Sequence, residues 1–259
     1  MELIGRLILP FALMACLLCT PARAAGLLVM SEDYPPFSHE EDGRAVGFCA
    51  AIVQRIMDRL GMDEEIAFYP WARAYMRLME DAPAALFPMV LSQERKVFFR
   101  FVGPVFTDTV YFYKRRGRAL DVTTLEGAMR VKAIGVTRDD YYHQLLVQKG
   151  FENLDISSSQ TQDFRKLAQG RVDLVPMGEL ALPHFVGAIH GLDPEMFERV
   201  GPVIARPEVY IAFSLATPDE VVRQWQQALD ELKAEGVYRA IMNRSLLLRG
   251  ETPGKGYLE

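Results

Sequence analysis

The chain has 259 residues, half of them hydrophobic, with 29 basic side chains against 34 acidic ones and a net charge of −5. That balance leaves no basic surplus for a nucleic-acid partner. Four scattered histidines give no metal-ligand spacing, and neither a Gly-rich phosphate loop nor a G-x-S-x-G elbow appears, so no metal, no cofactor and no hydrolase chemistry is expected.

Arg6 is followed by an apolar run, Leu7 to Cys19, and by Ala22-Arg23-Ala24, a small-x-small pattern. These are the parts of a signal peptide cut after Ala24, which places the mature chain in the periplasm. The run is too short to span a bilayer. Leu13-Met14-Ala15-Cys16 offers lipid attachment at Cys16 as the alternative. Cleavage leaves Cys49 as the one cysteine, so no intrachain disulfide forms and its apolar neighbours predict a buried thiol.

Gly26 to Met30 reads as a short strand, and Pro35-Pro36 forces the following segment out of helix. Phe48, Ile52, Ile56 and Leu60 recur every four residues before Gly61, which predicts an amphipathic helix. A strand over Glu65 to Tyr69, a helix opened by Pro70 and a strand over Ala84 to Val90, interrupted by Pro88, come next. Val105 to Tyr113 is rich in β-formers. Beyond Lys114 a second strand–helix alternation predicts strands at 131–136, 154–156 and 172–177 and helices at 141–148 and 163–169. Val209 to Ser214 is strand-like again. Thr217-Pro218-Asp219-Glu220 reads as a capping box that starts a helix burying Val222, Trp225, Leu229 and Leu232.

The alternation predicts an α/β chain that leaves one lobe, builds a second and returns. The boundaries follow: lobe 1 over 25–108, a crossing strand over 109–113, lobe 2 over 114–208, a second crossing strand over 209–214, and the rest of lobe 1 over 215–259. Two crossing strands make a hinge with a cleft between the lobes.

Several stretches together carry a resemblance. They are Tyr34-Pro35-Pro36-Phe37, Gly47-Phe48, Glu94-Arg95 with Phe98, Phe101 and Pro104, Gly170-Arg171-Val172-Asp173, and Gly236 to Ile241. In order and spacing the chain resembles the family 3 extracellular solute-binding proteins, receptors for polar amino acids with a type II periplasmic binding fold. The resemblance implies that Arg95 clamps a ligand carboxylate through its planar guanidinium. It also implies aromatic walls from Tyr34 and Trp71, and an anion-binding loop from Thr137 and Arg138 at a helix start. The alternatives, read as residues alone, are a surface charge for Arg95, core packing for the aromatics and an N-cap for Asp140. The place of Arg95 in a first helical turn, where the dipole disfavours a cation, favours a ligand role. Arg73 lies about 200° round the helix from Trp71 and faces either way.

The chain also departs from the family pattern. Pro88 and Val90 stand where hydroxyl residues usually line the cleft, Ser31 stands for an acid, and Gly178 replaces the aspartate that holds a ligand ammonium. Glu179 and Glu32 are the adjacent candidates for that role. The resemblance implies a monomer that delivers a small carboxylate-bearing solute to an ABC-type permease. Two other readings stand beside it: a periplasmic dehydratase-like enzyme with Glu179 as general acid, and a module that reports to a separate membrane sensor.

Overall fold

The computed structural model describes residues 26–247. The expected signal peptide, its lipid-attachment alternative at Cys16 and residues 248–259 lie outside them.

The first α/β unit opens with β1 (Leu28–Ser31). The proline loop leads to β2 (His39–Glu41) and β3 (Arg44–Val46), a hairpin turned at Asp42 and Gly43, which both take positive φ. Helix α1 (Phe48–Leu60) runs to Gly61, whose φ of 65° ends it in the left-handed conformation that glycine adopts without strain. Next come β4 (Ala67–Phe68), α2 (Trp71–Leu78) and β5 (Ala84–Val90). A three-residue 3-10 turn, Arg95–Val97, then precedes β6 (Phe99–Thr107).

The second unit comprises β7 (Val110–Arg115), α3 (Leu125–Met129), β8 (Ile134–Thr137), α4 (Tyr141–Gln148) and β9 (Leu154–Ser157). It continues through α5 (Gln160–Ala168), β10 (Val175–Gly178), α6 (Leu182–Gly187) and β11 (Phe197–Ala205). The chain returns as β12 (Glu208–Ser214), α7 (Asp219–Ala234) and α8 (Val237–Leu247).

Sheet pairing separates the two lobes. One sheet has the order β4-β1-β5-β12-β6; the other has β10-β7-β11, with β8 and β9 paired beside it. The chain leaves the first sheet at Asp108 and Thr109 and returns at Arg206 and Pro207. Residues 110–113 and 209–214 are paired within the sheets, on β7 and β12. β5 runs on through Pro88, and the interruption read there is a local irregularity, where the pairing with β12 shifts register between Tyr210 and Ala212.

The apolar spacing read from α1 is its buried face: Phe48, Ile52, Val53, Ile56 and Met57 are all shielded. Trp225, Leu229 and Leu232 of α7 join the same core, each such side chain contributing about 1.5–3 kcal/mol on burial. The capping box is not formed. Thr217 turns inward, where its hydroxyl meets Ser214 Oγ at 2.9 Å and accepts from the Ala84 N–H at 3.2 Å, and α7 starts at Pro218 without a side-chain cap. The Gly170-to-Asp173 stretch is structural. Gly170 ends α5 at positive φ, and Asp173 accepts from the Lys132 N–H and pairs with Arg118.

A cleft cavity with one buried arginine

A cavity of about 400 Å³ lies between the lobes. The first lobe reaches it through the proline loop. Ser31, fully buried, ties that loop down: its Oγ donates to the Phe87 carbonyl and meets Ser38 Oγ, both at 2.8 Å. Ser31 is thus spent on structure. The free N–H groups at the start of α1 donate to Pro36 and Phe37 carbonyls, which replaces a side-chain cap. Only a glycine at 47 permits this approach, since φ is 112° and a Cβ would stand 2.5 Å from the Phe37 carbonyl oxygen. Phe37 is core, stacked on Phe106 at 4.9 Å between centroids.

Tyr34 faces the cavity, with its ring 5.9 Å from that of Phe185 and its hydroxyl 3.4 Å from that of Tyr142. Trp71 opens α2 and also lines the cavity. Arg73 does not; it is exposed and sits over the Tyr69 ring at 5.3 Å.

Arg95 dominates the site. It is 3% exposed, donates one hydrogen bond from Nη1 to the Val90 carbonyl at 3.1 Å, and leaves Nε without a partner. Its guanidinium stands 5.3 Å from the Trp71 ring and 5.8 Å from that of Tyr75. Among the described residues no carboxylate lies within ion-pair distance of it. Ser92 Oγ accepts from the Arg95 N–H at 3.3 Å, which fixes the turn. Val90 lines the cavity but serves Arg95 through its backbone. The arrangement is a buried cation with donors to spare, held flat by an aromatic ring.

The second lobe contributes Thr137, Arg138 and the first turn of α4. Thr137 Oγ1 donates to Asp163 at 2.8 Å, and the Arg138 N–H donates to the Ser157 carbonyl. Asp140 caps α4, accepting from the His143 N–H at 2.7 Å. The chain's own carboxylate thus takes one N–H of the expected anion cradle.

Three cavity acids titrate high. Burial pushes Glu32 up to about 8, with repulsion from Asp140 adding to it and Arg95 opposing. Burial likewise raises Asp140 to about 7 against its hydrogen bond from His143. Asp108, at the sheet crossing, is raised to about 7 by burial, opposed by backbone N–H groups of Thr109 and Leu180.

Glu179 is placed elsewhere. It follows Gly178 by one position, in the turn beyond the end of β10. Its Oε1 accepts from Arg199 at 2.7 Å, and it does not line the cavity. Sequence reasoning missed Asp108, Asp140 as a cavity acid, Tyr142 and Phe185. Gly178 was the available signal, because a glycine at a position implied to be acidic invites a search for the replacement. A wider hollow of about 950 Å³ opens nearby, bordered by Arg55, Arg165 and Arg244, but no charged side chain lining it is buried. The smaller cavity is therefore the candidate site.

The sequence pattern of the bacterial extracellular solute-binding proteins, family 3, matches residues 27–247. No curated protein matches significantly. Among solved structures, a histidine kinase sensor domain with similarity to periplasmic binding proteins shares 21% identity over 92% of this chain and 99% of its own, with a TM-score of 0.78. A mutant of ArgBP from T. maritima gives 21%, 85%, 95% and 0.72. The substrate-binding protein of an amino acid ABC transporter gives 18%, 85%, 98% and 0.70. Likeness at this identity shows the fold, two α/β lobes of the type II periplasmic-binding kind.

Proposed function

The chain belongs to the bacterial extracellular solute-binding proteins, family 3, and from that premise we propose that it captures a small carboxylate-bearing solute, an amino acid or related acid, and hands it to an ABC-type permease. The family binds solutes rather than transforming them, so the dehydratase-like alternative lapses; Glu179, its nominated acid, also lies away from the cavity. One observation carries the reading: Arg95 is buried in the cavity with an unpartnered Nε and a ring of Trp71 behind it. A carboxylate placed there completes the guanidinium's hydrogen bonds in a water-poor cleft, where such bonds are strongest.

The lobes pivot where the chain crosses between sheets, at 108–109 and 206–207, and closure is favoured by the ligand's contacts to both sides. Export follows from the signal peptide cut after Ala24, and the mature protein acts as a monomer. The sensor reading draws support from the kinase sensor domain that overlaps 92% of the chain; in it the receiving partner is a membrane kinase.

A thermal-shift screen of the mature protein against amino acids and their des-amino counterparts tests this, since a ligand of the folded state raises Tm by mass action. A shift with a carboxylate that disappears on Arg95→Met supports the reading. A shift only with compounds lacking a carboxylate overturns it.

A further inference from the structure

We propose that Asp108, whose carboxylate fills the space a side chain at Gly178 would need, receives a cationic group of the ligand, an ammonium above all, so that the ligand is a zwitterion held between Arg95 and Asp108. This rests on the receptor reading above.

The fit at Gly178 carries the inference. A Cβ built there would stand 1.8 Å from Asp108 Oδ2 and 2.7 Å from its Cγ, so the carboxylate occupies the volume that any side chain at 178 would need. Gly178 lies in strand β10 and is not among the glycines at positive φ. Backbone conformation therefore gives no reason for glycine; the neighbouring carboxylate does. Tyr142 secures the strand here, its hydroxyl accepting from the Gly178 N–H at 3.0 Å.

Asp108 is 5% exposed and lines the cavity. Its Oδ1 accepts from the Thr109 N–H at 2.7 Å, and among the described residues no lysine, arginine or histidine forms an ion pair with it. A buried carboxylate without a countercharge is unfavourable, and a ligand cation supplies what the protein withholds. An ammonium has three donors, and the hydroxyls of Tyr34 and Tyr142 line the same cavity as further acceptors.

The test titrates the mature protein calorimetrically with the twenty common L-amino acids and, for each that binds, with its des-amino acid. Wild type is expected to bind an amino acid at least 100-fold more tightly than the des-amino compound. Asp108→Asn should lose about 100-fold for the amino acid while leaving the des-amino acid within threefold. The exchange Asp108→Gly with Gly178→Asp, which returns a carboxylate from the other strand, should recover at least tenfold. Equal affinity of wild type for amino and des-amino acids overturns the assignment, whether or not Asp108→Asn folds. Undiminished amino-acid binding by a folded Asp108→Asn overturns it too, and both results leave the receptor reading standing. Binding of no probe at all overturns the receptor reading, and this inference with it.

Discussion

Replacing Arg95 with methionine should uncouple stability from binding. In the ligand-free protein the substitution removes one charge-assisted bond to the Val90 carbonyl, worth about 1.5–3 kcal/mol, and two ring contacts worth about 0.5–1 kcal/mol each. It also relieves the desolvation of a guanidinium that is 3% exposed and lacks an ion-pair partner, a penalty of several kcal/mol. Methionine fills similar volume with an apolar chain. Loss and relief nearly cancel, which leaves the ligand-free stability within about 2 kcal/mol of the wild type. At about 2–4 °C per kcal/mol for a chain of this size, Tm moves by no more than roughly 8 °C. Binding changes far more: two parallel bonds to a carboxylate, about 1.5–3 kcal/mol each, correspond to a loss of roughly 10²–10⁴ in affinity. Scanning calorimetry without ligand and titration calorimetry with it read the two halves. A variant destabilised by more than about 2 kcal/mol that still binds normally would refute the reasoning and make Arg95 a structural residue.

The cavity acids predict a pH dependence. Glu32, Asp108 and Asp140 hold their protons to about 8, 7 and 7 in the folded chain, against ordinary values of 4.5, 3.8 and 3.8. Between those limits the unfolded chain is ionised while the folded one is protonated, so each group lowers ligand-free stability by about 1.4 kcal/mol per pH unit as pH rises. Tm should fall from pH 5 to pH 8; a rise over that range contradicts the raised values. Trp225 is fully buried against Phe213 and Trp71 lines the cavity, so Trp71→Phe should abolish any ligand-induced change in tryptophan fluorescence and Trp225→Phe should preserve it. Persistence of the signal in Trp71→Phe would move the ligand away from that ring. Gly47→Ala should destabilise by about 3 kcal/mol or more, because its Cβ meets the Phe37 and Pro36 carbonyls at a φ of 112°. Urea unfolding reads this, and a change under 1 kcal/mol would show that the loop can shift.

Much of the scaffold is written locally. The four-residue spacing in α1 and the glycine after it place that helix to the residue, and α4 lies on its predicted span. The break at Asp108 and Thr109 has no such signature, because β-forming residues run on either side of it and only pairing to different sheets separates β6 from β7. Thr217 misleads for a related reason. The capping pattern is present, but Ser214 and Ala84, which take its hydroxyl, are supplied by the fold. The site divides the same way. Arg95, Trp71 and Tyr34 stand in recognisable motifs and line one cavity, whereas Asp108 and Asp140 gain their surroundings from strands and helices remote in sequence. Glu179 shows the limit of reasoning by adjacency, since it sits in the turn past the end of β10 and meets Arg199 instead of the cavity.

The two crossings between lobes have a mechanical consequence. Each contains only two residues, Asp108–Thr109 and Arg206–Pro207, and so admits a swing about a line through both but little sliding. Groups on that axle hardly travel. Asp108 therefore meets an arriving solute at nearly the same distance whether the jaws stand apart or together. At the rim, Gln148 Nε2 donates to Glu94 Oε1 at 2.8 Å across the two lobes, a bond that any such swing must break. Inspection at the axle and latching at the rim would then be separate events in time, the first sorting solutes by charge before the second commits to one.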